Sequence, residues 1–277
     1  MLTTTLDGLW ALQVLSGYEV LAPELGLRPY LPSAESIDDA LSHPVARDLR
    51  AAGLIDEAGV VDTPVFEWLS VLARREVGLL MRVQTPNASE PERILLARHA
   101  RWWIVLQRCG SMIRLGGLGN ATTENSARDV LYSVIEQLCG RHRPAQFSPA
   151  TLDLGKLVNG VRGPDSLPAQ LAGQGLDADQ IRMLLSATDP QRSAHACVVA
   201  LQSGLPTEPA GSFVGPEAFS IIDTTEGRLL SEQVERDGRR WMIVAPGSRS
   251  SIASAMQTML RRLPAGSTWH ENRRALQ

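Results

Sequence analysis

A repeated order of elements constrains this chain more than any other feature. Residues 36–139 and 164–263 run through the same succession of patterns. In the first, PVARDLRAAGLIDEAGVVDTPVFEWLSVLARR (44–75) has helical spacing. It leads into three strand-like runs, VGLLMRVQT (77–85), RILLARHARWWIVLQ (93–107) and SMIRLGG (111–117), and then a helix, SARDVLYSVIEQL (126–138). In the second, SLPAQLAGQGLDADQIRMLLSA (166–187) leads into HACVVALQS (195–203), EAFSIIDTT (217–225), GRLLSEQVE (227–235) and RRWMIVAPG (239–247). The helix SRSSIASAMQTMLRRL (248–263) closes it. A period near one hundred residues is too long for a solenoid repeat, so the pattern predicts a duplicated half-domain whose halves share a core. Such an order also arises in unrelated α+β proteins, but AGLID (52–56) against QGLDA (174–178) favours duplication.

The expected domains are an N-terminal half over 1–145 and a C-terminal half over 146–266, packed as one unit. A tail over 267–277 has no pattern and is expected to be mobile. With 277 residues, 44% hydrophobic and 21% charged, a sizeable core is available. The net charge of −3 argues against a partner recognised mainly through phosphates. Nearly all positive charge is arginine, Lys156 being the sole lysine, a bias that also suits bidentate contacts.

The start, MLTTTLDGLW, lacks a basic n-region, and no run approaches the roughly 18 apolar residues of a membrane span. Cys109, Cys139 and Cys197 are odd in number, widely spaced and set in apolar segments, which predicts buried free thiols. Together these features predict a soluble cytoplasmic protein.

Element signals are readable along the chain. Asp7 is an expected N-cap for a helix ending near Gly17, and Thr63-Pro64 is an expected helix start. Ser248 is the expected N-cap of the last helix. Ala127, Val130, Leu131, Val134 and Leu138 form an apolar stripe, repeated by Ile252, Met256, Met259, Leu260 and Leu263. The segments TPNASEPE (85–92) and GLPTEPAGSFVGP (204–216) read as long polar loops.

Catalytic signatures are missing. Gly155-Lys156 lacks the rest of a phosphate loop, and GGLGNAT (116–122) lacks the third glycine of a dinucleotide fingerprint. No G-x-S-x-G, H-E-x-x-H or C-x-x-C occurs. His99 and His195 sit in matching strands, where a ligand pair at a symmetry axis is conceivable, but two structural histidines are the preferred reading. Asp38-Asp39 and Asp177/Asp179 fall near helix N-termini, where carboxylates complement the dipole. The expectation is no catalytic residue, no metal and no cofactor. An alternative class is a winged-helix-like nucleic-acid-binding protein, with helix 45–53, the turn GLID and helix 64–75. Its recognition helix carries basic groups only at its end, and the overall charge has the wrong sign.

The whole chain resembles the EspG family of mycobacterial ESX (type VII) secretion-associated proteins. The resemblance rests on LTTTLDGLWALQ, PELGLRPYLP, RDLRAAGLIDEAGVVD, RWWIVL and PGSRSSIASAMQTMLRRLPAG, and spans residues 2 to about 266. It implies an α+β fold with quasi-two-fold internal duplication, a central antiparallel sheet flanked by helices, and a C-terminal helical bundle. It further implies a non-enzymatic cytosolic chaperone that binds PE–PPE heterodimers before export by the cognate ESX system. Contact is through the hydrophobic tip of the PPE protein, with no nucleic acid and no membrane as partner and a weak homodimer possible without client. In that family the partner docks on the central sheet and the C-terminal bundle. Carried onto this chain, these are 227–235 and 248–263, with the loop 85–92 at the matching strand connection. The candidate partner-binding residues are Ser231, Gln233 and Glu235 on one strand face, and Met256 and Met259 on the helix.

Overall fold

The computed structural model describes residues 1–205 and 211–271. The chain opens with β1 (Leu2–Thr5), α1 (Leu6–Ser16), α2 (Ile37–Ser42), α3 (Val45–Ala51) and α4 (Thr63–Ala73). Four strands follow, β2 (Val77–Gln84), β3 (Glu92–His99), β4 (Trp102–Cys109) and β5 (Met112–Asn120), and then α5 (Glu124–Cys139). The second half brings β6 (Ala150–Asp153), α6 (Leu154–Gly160), α7 (Leu167–Ala172) and α8 (Ala178–Thr188). It continues with β7 (Ala194–Leu205), β8 (Gly211–Thr224), β9 (Gly227–Arg236), β10 (Arg239–Pro246) and α9 (Arg249–Arg261).

These strands make one antiparallel sheet in the order β1-β5-β4-β3-β2-β7-β8-β9-β10-β6. The seam is the pairing of β2 with β7, in which Met81 faces Val198. The order therefore reads alike from either edge. The first half agrees with the second more closely than its sequence suggests, because the predicted run 93–107 is two strands. It turns at Ala100-Arg101, where Ala100 adopts φ 53°. A left-handed alanine is unfavourable and carries none of the Gly, Asn or Pro signals of a turn, so the hairpin was hidden.

Alternation along the strands sorts the core into two faces. Val77, Leu79, Met81 and Val83 on β2, with Ala196, Val198 and Ala200 on β7, face α5 and α9. On the other face, α1 to α4 cover Leu95, Ala97, Ile104, Leu106 and Leu115. At the far end α6 to α8 cover Leu152, Leu229 and Val244. Each of the Val, Leu, Ile and Met side chains among them, fully buried, contributes about 1.5–3 kcal/mol.

Helix ends follow local chemistry. Ser36 and Asp39 form a capping box at α2, Asp177 and Gln180 another at α8, and Ser248 accepts from the Ser251 amide at α9. Two expected caps shift by a residue or two. Thr5 rather than Asp7 caps α1, leaving Asp7 in the first turn, and Asp62 precedes α4, whose Pro64 sits in the first turn. Gly17 ends α1 at φ 72° as expected.

Three expectations are corrected. The cysteines are not all buried: Cys109 and Cys197 are exposed and Cys139 is half-buried. Cys197 occupies the side of β7 that its neighbours leave open. Of the expected loop 204–216, residues 204–205 end β7 and 211–216 begin β8, while 206–210 lie outside the described residues. The tail is anchored at Trp269, and residues 272–277 lie outside the described residues. Trp269 is 1% exposed, stacked edge-on against Trp103 with ring centroids 6.4 Å apart.

Glu124, at the start of α5, ties this arrangement to α9. It accepts from Arg261 at 2.7 and 2.6 Å and from Trp269 Nε1 at 3.3 Å. The Arg261 hydrogen bonds hold its carboxyl well below the usual range, at about 2. A depressed folded-state value contributes stability that is fully present above the ordinary carboxylate range and is lost as pH falls toward about 2. Glu124→Gln is therefore expected to lower Tm by a few degrees near neutral pH. Melting curves taken at successively lower pH should show the two proteins converging; a constant gap would refute the assignment.

Candidate functional site

Helices cover the second face of the sheet at both ends and leave its centre open. The register sets Leu80 beside Val199 and Ala218, and Arg82 beside Cys197, Ser220 and Ser231. Arg82, Arg93, Cys197 and Val214 are exposed, and Leu80, Val199, Ala218 and Ser220 are half-buried. The strip thus has an apolar centre with arginines on its β2–β3 side. The loop 85–92 adjoins it, pinned by Gln84 Nε2 donating to the carbonyls of Thr85 and Ala88 at 3.2 and 3.0 Å.

The predicted residues divide between the two faces. Ser231, Gln233 and Glu235 do share one face of β9, on the open side. Gln233 and Glu235 are exposed, whereas Ser231 is only 8% exposed, where the strip meets the α6–α8 layer. Met256 and Met259 lie on the opposite side of the sheet, 0% and 5% exposed in the core under α9. The five cannot form one surface, and the methionines are structural. Sequence reasoning missed Leu80, Arg82, Arg93 and Val199. Their signal was the period-two alternation of β2, β3 and β7, hidden because those strands are apolar enough to read as buried on both sides.

Among the described residues the ionisable groups elsewhere assemble no reactive constellation. A cavity of about 320 Å³ is lined by Cys139, His142, Arg192, His195 and Asp223 among others. Asp223 is already clasped by the buried Arg228, which donates to it at 2.6 and 2.8 Å and to the Cys139 carbonyl at 2.8 Å. Burial pushes the Cys139 thiol up to about 11, so it carries no thiolate at neutral pH. His142 stands 3.9 Å from Asp223, too far for a hydrogen bond. His99 and His195 fall at opposite ends of β2, since Arg98 pairs with Val77 and His195 with Gln84. Among the described residues no cluster suits a metal ion, and no helix is long and apolar enough to cross a membrane.

The winged-helix alternative also loses its recognition helix. α4 turns Val65, Leu69 and Leu72 into the core beneath the sheet. At its basic end, Arg75 is buried, donating to the Leu72 carbonyl at 2.8 Å and to Glu24 at 2.5 Å. That arginine serves the interior and has no access to a groove.

Comparison with known proteins agrees with this architecture. A family model described as the EspG family matches residues 5–258. The chain is 46% identical over 277 residues to the ESX-2 secretion-associated protein EspG2 of Mycobacterium tuberculosis (strain CDC 1551 / Oshkosh), covering 100% of each. It is 25% identical over 296 residues to the ESX-5 secretion-associated protein EspG5 of Mycobacterium marinum, covering 96% of this chain and 94% of the relative. Its fold is similar to the Mycobacterium tuberculosis type VII secretion system chaperone EspG5, solved in complex with a PE25–PPE41 dimer. There the TM-score is 0.74 at 20% identity, over 96% of this chain and 97% of that one.

Proposed function

The chain belongs to the EspG family, and on that premise we propose that it is a non-enzymatic chaperone of PE–PPE heterodimers bound for an ESX type VII secretion system. The open central strip carries the reading: a broad sheet face with an apolar centre, left uncovered between two helical layers, invites a partner. The client contact is assigned to the PPE subunit. Gln233 and Glu235 border the docking face, and the loop 85–92 lies at its other side.

The same reading takes the chain as two duplicated halves, 1–145 and 146–266. The symmetrical strand order and the matching succession of helices support it. In this scheme α9 belongs to the C-terminal bundle, and it packs with α5 of the first half on the far side of the sheet. A cytosolic location, and weak self-association when no client is bound, belong to the same proposal.

Co-expression with a panel of mycobacterial PE–PPE pairs, followed by size-exclusion chromatography, tests it. At least one pair should co-elute with this chain as a stable complex. A chain that shifts no pair containing a PPE protein would remove the proposal.

A further inference from the structure

The register of β2, β3 and β4 sets three arginines abreast on one face of the sheet, the first two of them exposed. Arg82 lies opposite Arg93, and Arg93 opposite Arg108. Like charges directly opposed across an antiparallel pair are unfavourable, so each needs a local remedy or a use. Arg108 has its remedy: it donates to the carbonyls of Leu25, Gly26 and Gly110 at 2.7, 2.8 and 3.1 Å. Arg93 crowds the same place. A Cβ on Gly26 would stand 3.0 Å from Arg108 Nη1 and 3.3 Å from Arg93 Nη1.

Among the described residues Arg82 and Arg93 have no such remedy. Both are exposed, and among the described residues neither has a carboxylate within ion-pair distance. They stand at the margin of the apolar patch of Leu80 and Val199. A local rule broken on the surface without compensation inside the molecule marks a place where the compensation comes from outside.

We infer that Arg82 and Arg93 together receive a carboxylate side chain of the client, placed beside the apolar segment that covers Leu80 and Val199. The inference rests on the chaperone reading and adds the chemistry of the client's contact. Arginine forks hold carboxylates bidentately, and a client covering the apolar centre would shield the pair from water. A nucleic-acid backbone is disfavoured as occupant by the net charge of −3 and the single lysine.

The test uses purified full-length chain and a panel of mycobacterial PE–PPE heterodimers that includes the PE25–PPE41 dimer. For the pair that binds tightest, Kd is measured at about 50 mM and about 400 mM salt, where screening differs strongly. Arg82→Gln/Arg93→Gln should weaken binding about tenfold at low salt, and Arg82→Glu/Arg93→Glu about a hundredfold. The gap to the unaltered protein should narrow at high salt. Tm of the Gln variant should equal or exceed that of the unaltered chain, because a repulsion has been removed; a merely structural role would lower it. Affinity equal to the unaltered protein, a salt-independent gap, or a single-stranded RNA oligonucleotide displacing the client at this pair would each overturn the inference while leaving the chaperone reading standing. Binding of no pair by the unaltered chain would remove both.

Discussion

Met256→Arg is expected to unfold this protein rather than to disarm it. Met256 is 0% exposed, in the cluster that joins α5 and α9 to the central strands. Val198, Phe219 and Leu230 belong to the same cluster, which is built of buried apolar and aromatic side chains. Burying an unpaired charge there, together with the added volume, belongs to the rare class of substitutions costing more than about 4–5 kcal/mol. That is a large share of the roughly 5–15 kcal/mol that holds a typical domain together. Met256→Leu, which conserves volume and polarity, should cost less than about 1.5 kcal/mol. Denaturant titration followed by circular dichroism separates the cases. A cooperative unfolding curve for Met256→Arg that overlays the unaltered one would show that the side chain faces solvent.

The second large effect concerns the C-terminal segment. Deleting residues 267–277 should destabilise the fold by about 3–5 kcal/mol, the usual loss when a buried Trp is removed. Trp269 fills the space beside Trp103 and donates to Glu124. Its carbonyl and that of His270 accept from the buried Arg98 at 2.7 and 2.6 Å. Among the described residues Arg98 otherwise has only Glu76, at 3.6 Å, and burial already pulls its pKa down. Deletion therefore removes apolar packing and also strips a buried cation of two acceptors. Arg98→Met should recover part of the loss in the deleted chain while costing stability in the complete one. A double-mutant cycle that sums additively would refute the coupling. A deletion with unchanged Tm would return the whole segment to the status of a loose tail.

Much of the fold was legible in the sequence because secondary structure is announced by local period. The apolar stripes of α5 and α9, the caps at Ser248 and Asp177, and the alternation of β9 all follow from residues within one or two turns of each other. The β3–β4 hairpin escaped because Ala100 turns the chain without a turn residue. The tail escaped because its one anchor, Trp269, docks against strands about 170 residues earlier, and no local period marks such a contact.

The candidate site divides along the same line. That Ser231, Gln233 and Glu235 share a face needs only the pleat. Whether that face is the one Met256 covers needs the strand order, and the answer is that it is not. A helix stripe looks the same in sequence whether it meets its own core or a foreign partner, so burial alone assigned the methionines. Likewise Arg82, Arg93 and Arg108 are spaced too far apart along the chain to suggest a row.

By itself, then, the sequence determined most of the helices and strands, the order in which they recur, and the family resemblance. Tertiary structure decided which faces are covered, because β2 and β7 join residues more than a hundred positions apart. Coverage is a property of pairings across that distance, and local patterning holds no information about them.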